Sequence, residues 1–196
     1  ALGVSIAFDT DVNAAALAEG RWGAAQGLAH HVYVTIGTGI GGGVIVRGQP
    51  LHGLIHPELG HMRIKRHSDD LDFEGICPFH DDCLEGLASG PAMKSRTGVA
   101  AENLDINDIA WDIEADCLAQ MCHNLCLTLS PQCIVLGGGV MAKPGLLEKV
   151  QARFIEVMSS YVDVINKAGG VEKFIRASTL DGKAGLYGAF ALIIAK

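Results

Sequence analysis

The amino-acid sequence predicts an α/β fold, and three observations lead there. Short runs rich in β-branched residues alternate with longer runs whose apolar residues recur at helical spacing. Two glycine clusters, "GTGIGGG" at 37–43 and "GGG" at 137–139, each follow an apolar run where a strand would end. Apolar residues fill 49% of the 196 positions and charged residues 19%, a balance that supports a buried core and excludes a disordered chain.

Taken in order, "DTDVNAAALAEGRWGAA" predicts a helix from about residue 11, with Asp9, Thr10 or Asp11 near its cap and an alanine-rich body. "HVYVTIGTGIGGGVIVRGQPL" predicts two strands, 32–36 and 43–47, joined by a glycine turn into a hairpin. Residues 52–86 read as a long polar loop, and loops of that length are functional or disordered. A Gly-Pro break opens a helix through "SGPAMKSRTG". A longer helix follows in "LDINDIAWDIEADCLAQMCHNLCLTLSP", where Ile109, Ile113, Leu118, Met121, Leu125 and Leu129 keep helical spacing. "QCIVLGGGVM" reads as a short buried strand and "GLLEKVQARFIEVMSSYV" as an amphipathic helix. "KFIRAS" reads as a strand, and "KAGLYGAFALIIA" as a very apolar final helix.

Composition narrows the function classes. A formal net charge of -7 argues against nucleic acid or an anionic membrane as the main partner. No apolar run reaches membrane-spanning length, and the first residues do not read as a signal peptide. "ALGVSIAF" reads as the interior of a domain, as expected of a piece of a longer protein. Six cysteines in a chain with this much core need not be staples. Cys117, Cys122, Cys126 and Cys133 are expected as buried reduced thiols, which fits a reducing cytoplasm.

Four constellations carry chemistry. In "GTGIGGG", glycine lets backbone N–H groups approach an anion without a Cβ in the way, and Thr38 adds a hydroxyl. The cluster joins two strands and opens no helix, so it is neither a Walker loop nor a Rossmann turn, and a phosphate-cradling hairpin is the expectation. "LGGGVM" sits at the carboxyl end of a strand, where ligands of open α/β sheets bind. In "DTDVN", a carboxylate at a helix start serves as a cap or as a general base; beside glycine loops, Asp11 is the candidate base for phosphoryl transfer to a hydroxyl. Finally, Cys77, His80 and Cys83 stand at C-x2-H-x2-C spacing. Structural zinc takes four tetrahedral N and S ligands, so a fourth would come from His61 or His67, or failing those His56 or His52.

"DTDVNAAALAE", "TIGTGIGGGVIV", "HPELGHM", "CPFHDDCLEGLASGPA" and "SPQCIVLGGGVM" together resemble the ROK family (repressors, open reading frames, kinases), in its bacterial fructokinase or manno(fructo)kinase branch. The resemblance implies an actin-like, ribonuclease-H-like ATPase lobe, a mixed sheet flanked by helices, with a zinc-stabilised loop. It implies residues 1–29 as the end of an N-terminal lobe with a hinge helix, 30–182 as the C-terminal lobe with the zinc loop at 56–86, and 183–196 as a helix packing back towards the first lobe. Such a helix, lacking that lobe, would look for another apolar cover.

The implied roles follow residue by residue. Asp11 would deprotonate the sugar's primary hydroxyl. Glu58, His61, Glu85 and Thr10 would hold the sugar, fructose first and mannose next. Gly37, Thr38, Gly39, Gly41, Gly42 and Gly43 would take the phosphates of ATP with Mg²⁺, and Gly138 would face the adenosine. His61, Cys77, His80 and Cys83 would bind structural Zn²⁺, with His61 serving metal and sugar together. A cytoplasmic homodimer is implied for the parent protein, and a sugar-sensing repressor of the same family is the alternative. Two departures stand out: Thr10 occupies a position where many members have Asn, and the family's D-x-G-G-T phosphate motif has no match.

Overall fold

The computed structural model, which describes residues 3–4, 6–180 and 182–194, is built around strand β1 (His31–Ile36). On one side β1 pairs antiparallel with β2 (Ile40–Val46), which continues antiparallel to the short β3 (Gln49–Pro50). On the other side it pairs parallel with β4 (Cys133–Gly137), which pairs parallel with β5 (Ile175–Ala177). Among the described residues this gives a five-stranded mixed sheet in the order β3-β2-β1-β4-β5.

Alternation along the strands gives the sheet two buried faces. Val32, Val34 and Ile36 of β1 and Ile134 and Leu136 of β4 join the larger core cluster. Its cover is α2 (Leu84–Ala88), α3 (Gly90–Thr97), α4 (Ile109–Leu129) and α5 (Leu146–Met158). Tyr33, Cys133 and Val135 face the opposite way, into a smaller cluster formed with the alanines of α1 (Asp11–Trp22). Two short helices, α6 (Val164–Ala168) and α7 (Val171–Phe174), lead into β5. The last helix, α8 (Ala184–Ile194), lies against α1.

Local chemistry explains the helix ends. Asp108 caps α4 by accepting from the Ala110 amide. Ser89 caps α3 by accepting from Ala92, proline occupies the first turn, and Gly98 ends the helix in the left-handed region. In α5, Leu146, Val150, Phe154 and Met158 recur every four residues and are all buried, the stripe that holds this helix on the sheet.

The packing of α1 needs small residues on three elements. Ala14, Ala15, Ala16 and Ala18 are buried, so little side chain separates the helix from its neighbours. A Cβ at Gly43 of β2 would collide with the Val12 carbonyl oxygen and come within 2.7 Å of the Ala16 methyl. A Cβ at Gly188 of α8 would lie 2.5 Å from the Ala14 carbonyl carbon. Helix α8 therefore turns Ala184, Gly188 and Ala191 inward and exposes Leu186, Phe190 and Ile193. Tyr187 packs on Trp22 at 5.9 Å between ring centroids. The final helix is thus held along its small-residue edge, while its large apolar residues are uncovered.

The structure departs from expectation in three places. Strand β2 begins at Ile40 and not at residue 43, because Gly41, Gly42 and Gly43 pair in register with Thr35, Val34 and Tyr33 of β1. The turn is reduced to Gly37, Thr38 and Gly39. Lys173 and Phe174 of "KFIRAS" belong to α7, and only 175–177 are strand. The long loop holds short 3-10 turns at Leu59–His61 and Ser68–Asp70. A bidentate ion pair fastens it, with Arg96 Nε 2.8 Å and Nη2 3.0 Å from the two Asp70 oxygens. Arg96 also lies 4.5 Å over the Phe73 ring.

All six cysteines are free and buried, as the sequence reading has it for the four outside the loop. Glu114 in α4 is fully buried with no hydrogen-bond partner on either carboxylate oxygen. Burial pushes its carboxyl up to about 8, against the opposing pull of Arg96, so it is largely the neutral acid at pH 7.

Gly43→Ala is expected to destabilise the protein by about 1–3 kcal/mol, since the obstructing atoms include backbone that cannot swing aside. Denaturant unfolding checks this; an unchanged midpoint would mean α1 is free to retreat from the sheet.

Candidate active site

The site begins at the first turn of α1. Thr10, one of three candidate caps, is the residue that caps: its hydroxyl accepts from the Asn13 amide at 3.1 Å. Asp9 braces this turn from outside, accepting from the Thr10 amide and the Asn13 side chain, each at 2.7 Å, and meeting His52 Nε2 at 3.0 Å. Burial alone would raise the Asp9 carboxyl; the hydrogen bonds from Asn13, His52 and Thr10 outweigh it and hold it below its ordinary value. Asp11 is left exposed, with Oδ1 accepting the Val12 amide at 2.9 Å.

Opposite lies the β1–β2 turn. The Gly37 amide donates to the Gly39 carbonyl at 2.9 Å, and the Gly37 carbonyl accepts from Gly90 at 2.8 Å. Glu85 Oε2 accepts the Ile40 amide at 2.8 Å, and a Cβ at Gly39 would come within 2.6 Å of that same oxygen. Glu85, expected as a sugar ligand, thus also pins the end of the turn. No atom approaches within 4 Å of where a Cβ on Gly37 would stand, so this glycine borders open space. Gly138 has a different reason to be glycine: its φ is +95°, and a Cβ there would strike the backbone of Ile36.

Two cavities meet here. One of about 340 Å³ is lined by Thr10, Thr38, His56, Glu58 and Glu85, together with the glycines at 37, 39, 41 and 42. The other, about 650 Å³, opens over the carboxyl ends of the parallel strands. Tyr33, the three glycines at 137–139, Met141, Ser178 and Gly185 are among its walls. Asp11, Val12 and Thr35 border both. The fold brings Thr10, Asp11, Glu58, Glu85 and the turn around one cavity, with Gly138 on the adjoining one. Gly43 lines neither cavity; its missing side chain makes room for α1.

Behind the smaller cavity, His61, Cys77, His80 and Cys83 bring one ligand atom each within 4.8 Å of one another. His61 Nδ1 stands 3.5 Å from Cys83 Sγ and 3.8 Å from Cys77 Sγ, and His80 Nδ1 stands 3.7 Å from Cys77 Sγ. Tetrahedral zinc, with bonds of about 2.0–2.3 Å, sets neighbouring donors roughly 3.3–3.8 Å apart, so the set fits that ion. Burial pushes the Cys83 thiol up, with Cys77 beside it adding to the shift; a divalent cation in the cluster would reverse that preference. His67 lies apart from this set, accepting the Asp69 amide.

Several lining residues had no sequence signal. His56 was weighed only as a metal ligand, yet its Nε2 lies 2.7 Å from Glu58 Oε1 on the cavity wall, whereas His61 is not among the residues lining that cavity. The hint was a histidine two positions before a carboxylate in "HPE". Tyr33, Met141 and Ser178 come from separate elements and meet only once the sheet has formed.

The ROK family profile matches residues 1–196. A protein named fructokinase from Lactococcus lactis subsp. cremoris is 49% identical over 180 residues, covering 92% of this chain and 60% of that protein. A fructokinase from Zymomonas mobilis subsp. mobilis is 47% identical over 197 residues, covering 100% of this chain and 64% of its own length. In three dimensions the chain is similar to a ROK hexokinase from Thermus thermophilus, with a TM-score of 0.76 and 28% identity over 95% of this chain and 64% of that one. It is also similar to a ROK glucokinase from Streptomyces griseus in complex with glucose and AMPPNP, with a TM-score of 0.72 and 26% identity over 96% of this chain and 68% of that one. The chain thus spans about 60–64% of the length of these curated relatives.

Glu85→Ala leaves the Ile40 amide without its acceptor. Hydrogen exchange at Ile40 is expected to speed up by roughly tenfold, while Glu85→Gln, which keeps an oxygen, changes it less. Unaltered exchange in the alanine variant would show that the turn does not depend on this carboxylate.

Proposed function

The chain belongs to the ROK family, and from that premise we propose that the protein is an ATP-dependent sugar kinase whose acceptor is a hexose, fructose first and mannose next. The observation that carries the proposal is the place of Asp11, an exposed carboxylate on the border of both cavities. A nucleotide in the larger cavity and a sugar in the smaller one would face each other across that residue.

In this reading Asp11 accepts the proton of the sugar's primary hydroxyl as its oxygen attacks the γ-phosphorus in line and ADP departs. Glu58 and Glu85 accept hydrogen bonds from sugar hydroxyls, with His56 steadying Glu58 and Thr10 offering its hydroxyl at the same wall. With the Gly37 amide engaged by the Gly39 carbonyl, the turn would offer the backbone N–H groups of Thr38 and Gly39 and the Thr38 hydroxyl towards the phosphates. Gly41, Gly42 and Gly43 contribute differently from expectation, since their positions are paired into the sheet and their bare faces admit Val12, Leu59 and α1. Gly138 borders the adenosine side. Mg²⁺ arriving with ATP would supply charge neutralisation on the phosphates.

His61, Cys77, His80 and Cys83 would hold structural Zn²⁺, four ligands leaving no open position. With Nδ1 in the cluster, Nε2 of His61 is left over for the double duty expected of it, although His61 lines neither cavity. The exposed apolar side of α8 is the surface offered to an N-terminal lobe, and a homodimer of the full-length protein belongs to the same reading. No helix among the described residues is long and apolar enough to cross a membrane. The repressor alternative is less supported, because the curated relatives at 47–49% identity are named fructokinase.

Coupled ADP-release assays of the full-length protein against a hexose panel should show turnover with fructose, and Asp11→Asn should reduce kcat by about 10²–10⁴-fold. Turnover retained in Asp11→Asn would remove the assigned base. Metal analysis should find one zinc per chain, and His61→Ala should both lose metal and raise the KM for sugar. Loss of only one of the two properties would break the double assignment.

A further inference from the structure

Thr35 occupies an unusual place in the sheet. Its partners in register are Gly41 on β2 and Gly137 on β4, so both flanking positions in its row lack a side chain. The spaces those glycines leave are filled from elsewhere. Val12 Cγ1 stands 3.1 Å from where a Gly41 Cβ would be, and the Tyr33 hydroxyl stands 2.8 Å from where a Gly137 Cβ would be. Thr35 is thereby left in a slot between Val12 and Tyr33, half-buried, bordering the larger and the smaller cavity. Only Asp11 and Val12 share that double position among the described lining residues. On the Thr35 face the neighbouring side chain at Gly41 is the aliphatic Val12, so packing alone would accept valine here as readily as threonine.

Resting on the kinase reading, we propose that the Thr35 hydroxyl is a catalytic hydrogen-bond donor to the phosphoryl group as it passes from nucleotide to sugar. The sugar oxygen forms the new P–O bond while the bond from the γ-phosphorus to the β,γ-bridging oxygen breaks. The hydroxyl proton goes to Asp11, and the electron pair of the broken bond leaves with ADP. Thr35 transfers nothing: its O–H points at a non-bridging oxygen of the group in transit. The turn at 37–39 addresses the phosphates through N–H groups, and Thr35 addresses them from the floor between the cavities.

Tyr33 orients this donor. Its hydroxyl lies beside the Thr35 side chain; burial raises its ionisation above the ordinary value and outweighs the opposing pull of Thr35, so it stays a neutral O–H. When the threonine's proton turns to a phosphoryl oxygen in the cavity, the neutral phenol is placed to donate to Thr35 Oγ in its stead. Tyr33 is thus a positioning residue, acting through Thr35.

The test compares Thr35→Val, Thr35→Ser and Tyr33→Phe in the full-length protein with ATP and its best hexose. Thr35→Val, which keeps the shape, should lower kcat by about 10–100-fold while both KM values stay within about threefold, as expected for a donor that acts in the transition state. Thr35→Ser should recover most of that loss, and Tyr33→Phe should show a smaller loss confined to kcat. The affinity of ADP with aluminium fluoride, measured with sugar present, should weaken by about tenfold in Thr35→Val with ADP alone unaffected. A kcat within about threefold of wild type in Thr35→Val, an equal loss in Thr35→Ser, or a change confined to KM would each overturn the inference and leave the kinase reading standing. If Thr35→Val does not fold, Thr35→Ser at wild-type activity together with a kcat-only loss in Tyr33→Phe upholds it, and an unaffected Tyr33→Phe overturns it. A wild-type protein inert towards every hexose would refute the kinase reading and this inference with it.

Discussion

The close approach of α1 to the sheet is the constraint on which the site depends. Its inner face is alanine, and the strand and helix it touches present glycine at the contact, so backbone meets backbone with almost nothing between. Each buried methyl adds little, but the many atom pairs brought to van der Waals distance add up. The geometric effect matters more than the energy. With the Val12 carbonyl against Gly43 and Ala14 against Gly188, the first turn of the helix has no room to slide. Thr10 and Asp11 are therefore held above the end of β1 by a contact that lies away from the substrate cavities.

A second brace acts on the opposite wall and converges on a single residue. The segment bearing His61 places Gly60 so close to the Ile40 carbonyl oxygen that no Cβ would fit. The segment after Cys83 brings Glu85 to the Ile40 amide. Both halves of the His–Cys cluster thus reach the residue that ends the glycine turn, one through its C=O and the other through its N–H. A loop with little regular structure of its own gains in this way a defined relation to the sheet, and the Asp70–Arg96 pair secures its far side.

Much of this was legible in the sequence, for identifiable reasons. The spacing of Ile109, Ile113 and Leu118 announces α4, and Cys77, His80 and Cys83 announce a ligand set because short-range spacing survives folding unchanged. Asp11 stands out as a carboxylate at a helix start in a chain with glycine loops, and the fold sets it on the border of both cavities. Glycine itself misled: Gly41 and Gly42 read as turn, yet with Gly43 they thin a strand so that α1 and Leu59 can come near, a tertiary requirement with no local signature. His56 and Tyr33 escaped for a related reason. Each is an ordinary residue in its own segment and gains meaning only from neighbours that the chain supplies elsewhere.

The pairing of α1 with α8 also sets an order of events. Ala14 and Gly188 are far apart in sequence, so their contact closes a loop that contains the whole described sheet. Contacts of that kind form late, after the entropy of the intervening loop has been overcome, and during synthesis α1 must wait for α8 to emerge. Until then the alanine face of the helix bearing Asp11 has only the sheet to rest on. The geometry that would make the protein a catalyst is thus completed by one of the longest-range contacts in the fold.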